Sequence, residues 1–300
     1  MLDVLSVLMQ WQSFRGEDSL HLSYRATKTE IIKVLRSSID ELSPHEADRI
    51  VTFLTLQPDE VRRLLGKPED EGDVPTWEHN KRGSRYTIRP LVPMDQDLLA
   101  WGAASAERAR SIWVGNVTSG YLPADFDWPS VQSAVRAIKK GLEKQLEQQA
   151  CEICERHTPF VVPGIDFKRR FPKENFDDVG DFDVLAYWPA QNRWLAGECK
   201  YNQPPFCLKD ARRLRDRIFG IAPDHGQFAK IERRRAFLAA NLDRLRGLLK
   251  WPIPNQPIAS VTELYISRDI YWWLRFPPYE VPAQFVRIDG LNAWLTENGF

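Results

Sequence analysis

The stretch GDFDVLAYWPAQNRWLAGECKYN, Gly180 to Asn202, decides how the second half of the chain folds. Two runs rich in Phe, Val, Leu, Ala, Tyr and Trp flank a polar cluster at Pro189 to Asn192, the pattern of two strands joined by a turn. With the turn centred on Ala190 and Gln191, an antiparallel hairpin sets Asp183 opposite Glu198 and Asp181 opposite Lys200. Side chains two apart on a strand share a face, and opposed residues bring their Cβ atoms to about 5 Å. Asp181, Asp183, Glu198 and Lys200 therefore project to one side. Phe182, Val184, Ala186, Leu195, Gly197 and Cys199 make the other side, which is expected to face a core.

Two carboxylates held this close repel at neutral pH unless a cation compensates. A lysine offers one charge, whereas a divalent ion between Asp183 and Glu198 offers two. Oxygen ligands favour a hard cation, and Mg²⁺ typically takes one or two protein carboxylates while keeping waters and phosphate oxygens. Such an ion lowers the pKa of a bound water and stabilises charge growing on phosphorus. Lys200, beside the same water, is placed to orient it. These parts suit hydrolysis of a phosphodiester. The plainer alternative is an exposed hairpin with a cross-strand salt bridge. The combination of Gly-Asp-x-Asp, an apolar strand, a turn and Glu-x-Lys in matching register favours the metal site.

The same residues resemble a known signature. Asp183, followed after a hairpin by Glu198, Cys199 and Lys200, is similar to the motif of the PD-(D/E)xK nuclease superfamily, in particular its Mrr-like and Holliday-resolvase-like branches. Phe182 stands where the motif's name has Pro. The resemblance covers about Ala134 to Leu295. It implies a restriction-endonuclease-like αβββαβ core with a mixed central sheet, and Mg²⁺ as cofactor with Mn²⁺ as a substitute. It assigns Asp183 and Glu198 as metal ligands, joined by the Cys199 carbonyl, and Lys200 as the catalytic lysine. It also implies a further acid on the helix before the first strand. Glu143, Glu147, Glu152 and Glu155 lie there, and Glu147 is in step with Ala150 and Cys154. An ordinary exposed helix glutamate is an equal alternative. The expected activity is a metal-dependent DNA endonuclease of prokaryotic defence or DNA repair. A non-catalytic nuclease-fold module and an RNA-directed nuclease stay open.

Around the hairpin, the order after Pro129 reads α-β-β-β-α-α-β-β-α, an α/β sandwich with a mixed sheet. The helix from Pro129 has a potential interruption at Gly141. Tyr201 to Lys250 carries 12 Lys+Arg against 5 Asp+Glu, a basic region suited to a polyanion. Within and near it, Arg213 and Arg217 share a helix face, and Lys168, Arg169 and Arg170 sit in a presumed loop after the first strand. Both groups are candidates for phosphate contact, and both read equally well as solvated charge. CEICERH places Cys151, Cys154 and His157 along a helix, a spacing that fits a buried apolar face better than zinc. In YWW, Tyr271 to Trp273, core packing is a more frequent role than base stacking.

The first hundred residues carry 13 Lys+Arg against 17 Asp+Glu and no catalytic signature. TKTEIIKVL and SPHEADRIV open with capping-box spacings at Thr27/Glu30 and Ser43/Glu46. The domain expectation is a helical region over 1–72, a connecting α+β region over 73–133 and a nuclease domain over 134–300, with a linker or surface loop at Gly66 to Pro75. Expected partners are nucleic acid, a protein bound through the N-terminal region, and a second copy of the chain. MLDVLSVLMQWQ has no basic n-region or small-residue cleavage site, and no run is long enough to span a bilayer. Four cysteines in 300 residues fit a reducing, cytoplasmic setting without disulfides.

Overall fold

A computed structural model describes residues 1–15, 23–62, 88–94, 97–121, 129–202, 204–205, 208–220 and 226–300. They form two compact units, Met1–Lys139 and Lys140–Phe300. The expected linker at Gly66 to Pro75 lies outside the described residues.

The first unit runs α1 (Leu2–Met9), α2 (Trp11–Arg15), β1 (Ser23–Thr27), α3 (Lys28–Ser38), α4 (Pro44–Leu54), α5 (Pro58–Arg62), β2 (Val92–Pro93), β3 (Leu98–Gly102) and α6 (Ala103–Thr118). α3 starts where the Thr27 hydroxyl accepts the Glu30 N–H. α4 starts with a reciprocal capping box between Ser43 and Glu46 and with Pro44 in its first turn. The strands form an antiparallel sheet in the order β1-β3-β2. Leu5, Leu35 and Val51 share one core with Leu91, Leu99 and Trp113, so residues from both expected N-terminal regions pack together. Arg89 ties two parts of this unit. Its Nε donates to the Phe53 carbonyl at 2.7 Å, one terminal nitrogen to the Thr55 carbonyl at 2.6 Å, and the other to Glu60 Oε1 at 2.7 Å.

The unit boundary falls within α7 (Pro129–Glu155), which continues unbroken through Gly141. The second unit follows with β4 (Val161–Ile165), α8 (Phe167–Arg170), β5 (Phe182–Trp188), β6 (Arg193–Lys200), α9 (Leu208–Phe219), α10 (Gln227–Leu249), β7 (Ser260–Ser267), β8 (Ala283–Arg287) and α11 (Leu291–Glu297). The presumed loop at Lys168 to Phe171 is instead mostly the short helix α8, whose first turn is capped by Asp166 accepting from Arg169 N–H. The five strands lie in sequence order. β4, β5 and β6 are antiparallel neighbours; β7 joins β6 in parallel after α9 and α10, and β8 joins β7 in parallel. The protein is thus mixed α/β, with a mixed five-stranded sheet and a smaller antiparallel one.

The hairpin register is the one read from the turn, with Val184 opposite Gly197 and Trp188 opposite Arg193. A Cβ at Gly197 would lie 3.0 Å from Ile266 Cδ1 and 3.3 Å from Val184 Cβ, so a larger residue there pushes on both neighbouring strands. One expectation needs correction. Both faces of the hairpin are covered, and Phe182, expected on the side of Val184 and Ala186, lies instead in the core under α10, where the strand start lets its ring meet Phe237. Leu185, Tyr187, Trp194 and Ala196, on the side of Glu198, pack against Phe237, Leu238 and Leu245 of α10. Tyr187 lies nearly parallel to Trp251 at 5.6 Å between ring centroids, and Trp194 touches both rings, at 4.7 and 5.2 Å. Among the described residues, no helix is long and apolar enough to cross a membrane.

Candidate functional site

The site forms at the end of the hairpin distant from its turn. Gly180 adopts a φ of 81°, which a residue with a Cβ rarely tolerates, and from there the chain enters β5. Asp183 and Glu198 are both buried, although each sits at the edge of an apolar strand. Asp183 Oδ2 accepts the Cys199 N–H at 2.7 Å and lies 3.4 Å from Lys200 Nζ. Lys200 Nζ is also 2.6 Å from Glu198 Oε1 and donates to the Cys199 carbonyl at 3.1 Å. One ammonium thus lies amid oxygens from Asp183, Glu198 and Cys199, the three donors expected for a metal.

The electrostatics follow from burial. Burial and the neighbouring Glu198 charge raise the Asp183 pKa above the ordinary carboxylate value, against the pull of Lys200. Burial alone would lower the Lys200 pKa, but Glu198 and Asp183 outweigh it and hold the ammonium above its usual value. Glu147 of α7 is half-buried. Burial first, then the Asp183 charge, raises its pKa, and Lys200 opposes the rise. Glu147 therefore lies within the field of Asp183 and Lys200, without a direct hydrogen bond to either among the described contacts.

Arg234 of α10 is a side chain of this cluster that the sequence reading missed. It is ion-paired with Glu198 Oε2, lies 3.7 Å from Asp181 Oδ1, and donates from Nε to the Val179 carbonyl at 3.3 Å. Asp181 itself is mostly exposed. In the run ERRR the middle arginine reads as solvent-facing, yet Arg234 stands three residues after Ile231 and four before Leu238, in phase with the buried face of α10. That phase is the signal by which it is recognisable. Glu263 of β7 is the second missed group. It is buried, and burial pushes its carboxyl up to about 7, opposed by Arg235 and Arg234.

The candidate phosphate contacts separate. Arg169 and Arg170 line one open cleft together with Asp178, Gly180 and Asp181, at the entrance to the hairpin. Lys168 pairs with Asp178 at 3.6 Å. Arg213 and Arg217 face outward from α9, whose Leu214 and Ile218 are buried. Arg217 acts electrostatically on Tyr265, which is paired with Glu198 across β6 and β7. The YWW run also divides: Trp273 is buried with Tyr271 stacked on it, whereas Trp272 is 73% exposed. Cys151 and Cys154 are buried, and burial lifts both thiols to about 12. His157 contacts the Phe300 carbonyl and Asn292 through its two ring nitrogens.

Among the described residues no three His, Cys, Asp or Glu side chains form a metal cage. The donor set nevertheless fits Mg²⁺ or Mn²⁺: two carboxylates and a backbone carbonyl, all hard oxygens, already gathered around a cation. Comparison with protein-family models, curated proteins and solved structures finds no match to this chain.

Proposed function

We propose that the Lys140–Phe300 unit is a divalent-metal-dependent nuclease that hydrolyses phosphodiester bonds, with DNA as the substrate. The observation that carries this reading is the convergence of Asp183, Glu198 and Cys199 oxygens on the Lys200 ammonium. The restriction-endonuclease-like core is part of the same proposal. It draws support from three antiparallel strands followed by a helical crossover to a parallel fourth, with the acids on the second and third strands.

In this reading Asp183, Glu198 and the Cys199 carbonyl hold the ion. When bound, the ion supplies Lewis-acid stabilisation of charge on the phosphate and acidifies a coordinated water. Lys200 stays protonated and points a donor at a non-bridging phosphate oxygen, where negative charge grows. Glu147, with its raised pKa and partial exposure, is suited to take the proton of the attacking water and later release it. Arg169 and Arg170 grip the backbone along the cleft that ends at Asp181. Trp272 has an exposed ring on which a base can stack.

A second reading, a non-catalytic module that binds nucleic acid, has one observation in its favour. Glu198 already has both oxygens on cations, Lys200 and Arg234. The two readings part in one assay. Plasmid, linear duplex, single-stranded DNA and RNA are incubated with and without Mg²⁺ or Mn²⁺. The nuclease reading expects metal-dependent cutting of DNA that disappears in Asp183→Asn. Binding without cutting under every condition supports the module, and preferential cutting of RNA moves the substrate assignment.

A further inference from the structure

The two side chains missed in the sequence are connected. Arg234 holds Glu198 Oε2 while Lys200 holds Oε1, so an ion that takes Oε2 has to displace Arg234. Glu263 has the opposite problem, since its Oε1 is buried with no hydrogen-bond partner. Glu263 pairs with Ala196 across β6 and β7, and Glu198 lies two residues beyond Ala196. Side chains two apart share a face, so both acids leave the sheet on the side covered by α10. Neighbouring parallel strands about 4.8 Å apart and a rise of about 3.3 Å per residue put the two Cα atoms about 8 Å apart, a span the long arginine side chain can sweep from a fixed backbone. Arg235 and, after it, Arg234 already act electrostatically on Glu263.

We propose that Arg234 is a latch between two acids: it neutralises Glu198 in the ion-free protein and turns to Glu263 when a divalent ion takes Glu198. The latch rests on the metal-dependent reading given above. It accounts for both anomalies at once. The acid pair is compensated before any ion arrives, and the displaced guanidinium finds a buried carboxylate short of a donor. Arginine suits this role because its charge is permanent and its planar fork can serve either carboxylate. Arg234 is then a positioning residue that sets the affinity of the site without touching the substrate.

The test is calorimetric titration of Mn²⁺ into the full chain, which needs no turnover. Arg234→Met removes the competitor and is expected to tighten Mn²⁺ binding at least tenfold. Glu263→Gln removes the charged acceptor for the displaced arginine and is expected to weaken binding about fivefold. In the double variant the Glu263→Gln effect is expected to vanish, because no arginine then needs a second partner. Equal or weaker binding in Arg234→Met overturns the latch, and so does a Glu263→Gln effect of the same size in both backgrounds. Should Arg234→Met fail to fold, the near-isosteric Glu263→Gln decides alone, and unchanged affinity overturns the proposal. A wild-type chain that binds no divalent ion refutes the metal reading together with the latch, whereas binding without the expected coupling refutes the latch only.

Discussion

Each unit buries an arginine, and the two are held in contrasting ways. Arg89, in the first unit, spends its donors on the carbonyls of Phe53 and Thr55 and on one carboxylate, Glu60. Backbone carbonyls at the end of α4 cannot swing away, and the single charge is matched by a single charge. Arg234, in the second unit, has one carbonyl partner and two carboxylates, beside a further acid and a lysine. Around it Asp181, Asp183 and Glu198 outnumber the cations Arg234 and Lys200. Burial with fixed, balanced partners ties a fold together. Burial with movable partners and surplus negative charge leaves room for an ion, and that contrast separates the clasp from the site.

The largest effect should fall on turnover. Asp183→Asn, Glu198→Ala and Lys200→Ala are each expected to lower cleavage by at least about 10²–10³-fold, the scale of losing a group that stabilises developing charge. Lys200→Ala should still bind metal by calorimetry, since a protonated lysine ligates nothing. Normal cutting by any of the three removes that residue from the chemistry.

Next comes stability, where the two arginines should part. Arg89→Met leaves buried acceptors and is expected to cost about 3–5 kcal/mol. Denaturant unfolding should give the same loss with or without Mg²⁺. Arg234→Met is expected to cost less, about 1–3 kcal/mol without metal, because Lys200 still serves Glu198. Mg²⁺ should restore most of that loss. A metal-sensitive Arg89 variant, or a metal-blind Arg234 variant, breaks the contrast.

Glu263 sharpens it through pH. Its native pKa of about 7 lies above the ordinary 4.5, so the native state holds the proton more tightly than the unfolded chain does. The resulting stabilisation is complete below the unfolded value and is lost as pH rises through about 7. The full span is on the order of 3 kcal/mol. Glu263→Gln should therefore gain on the wild type as pH climbs from 4.5 past 7, measured on metal-free protein. Parallel stability curves for the two proteins contradict this.

The smallest effect concerns the exposed arginines. Replacing Arg213 and Arg217 together should flatten the log–log dependence of DNA affinity on salt by about one to two units. The comparison is made in Ca²⁺ to suppress cutting, and an unchanged slope returns both residues to solvated charge.

Much of the second unit was legible because a hairpin is a local structure. The turn at Ala190 and Gln191 sets the pairing, and the pairing places Asp183 beside Glu198. The helix cap at Thr27 and the capping box at Ser43 are equally local. What stayed hidden depends on distant partners. SYRAT is too short and too polar to announce β1, which exists because β3 pairs with it. KRRF looks like a loop until Asp166 caps it as α8. Arg234 looks solvated because its partner Glu198 is 36 residues away in sequence. The covering of the acid face by α10 follows from a long crossover, which no alternation within the hairpin encodes.

The packing of Tyr187, Trp194 and Trp251 has an optical consequence. Rings locked at fixed angles in a chiral setting give near-ultraviolet circular dichroism, which vanishes when packing loosens even if helices persist. Trp251 stands just past the Lys250 C-cap of α10, and the other two rings belong to the strands of the acid-bearing hairpin. The protein therefore carries an unlabelled spectroscopic gauge of how firmly α10, the helix bearing Arg234, is seated on the sheet. A titration with ions or DNA can be followed by that band alone.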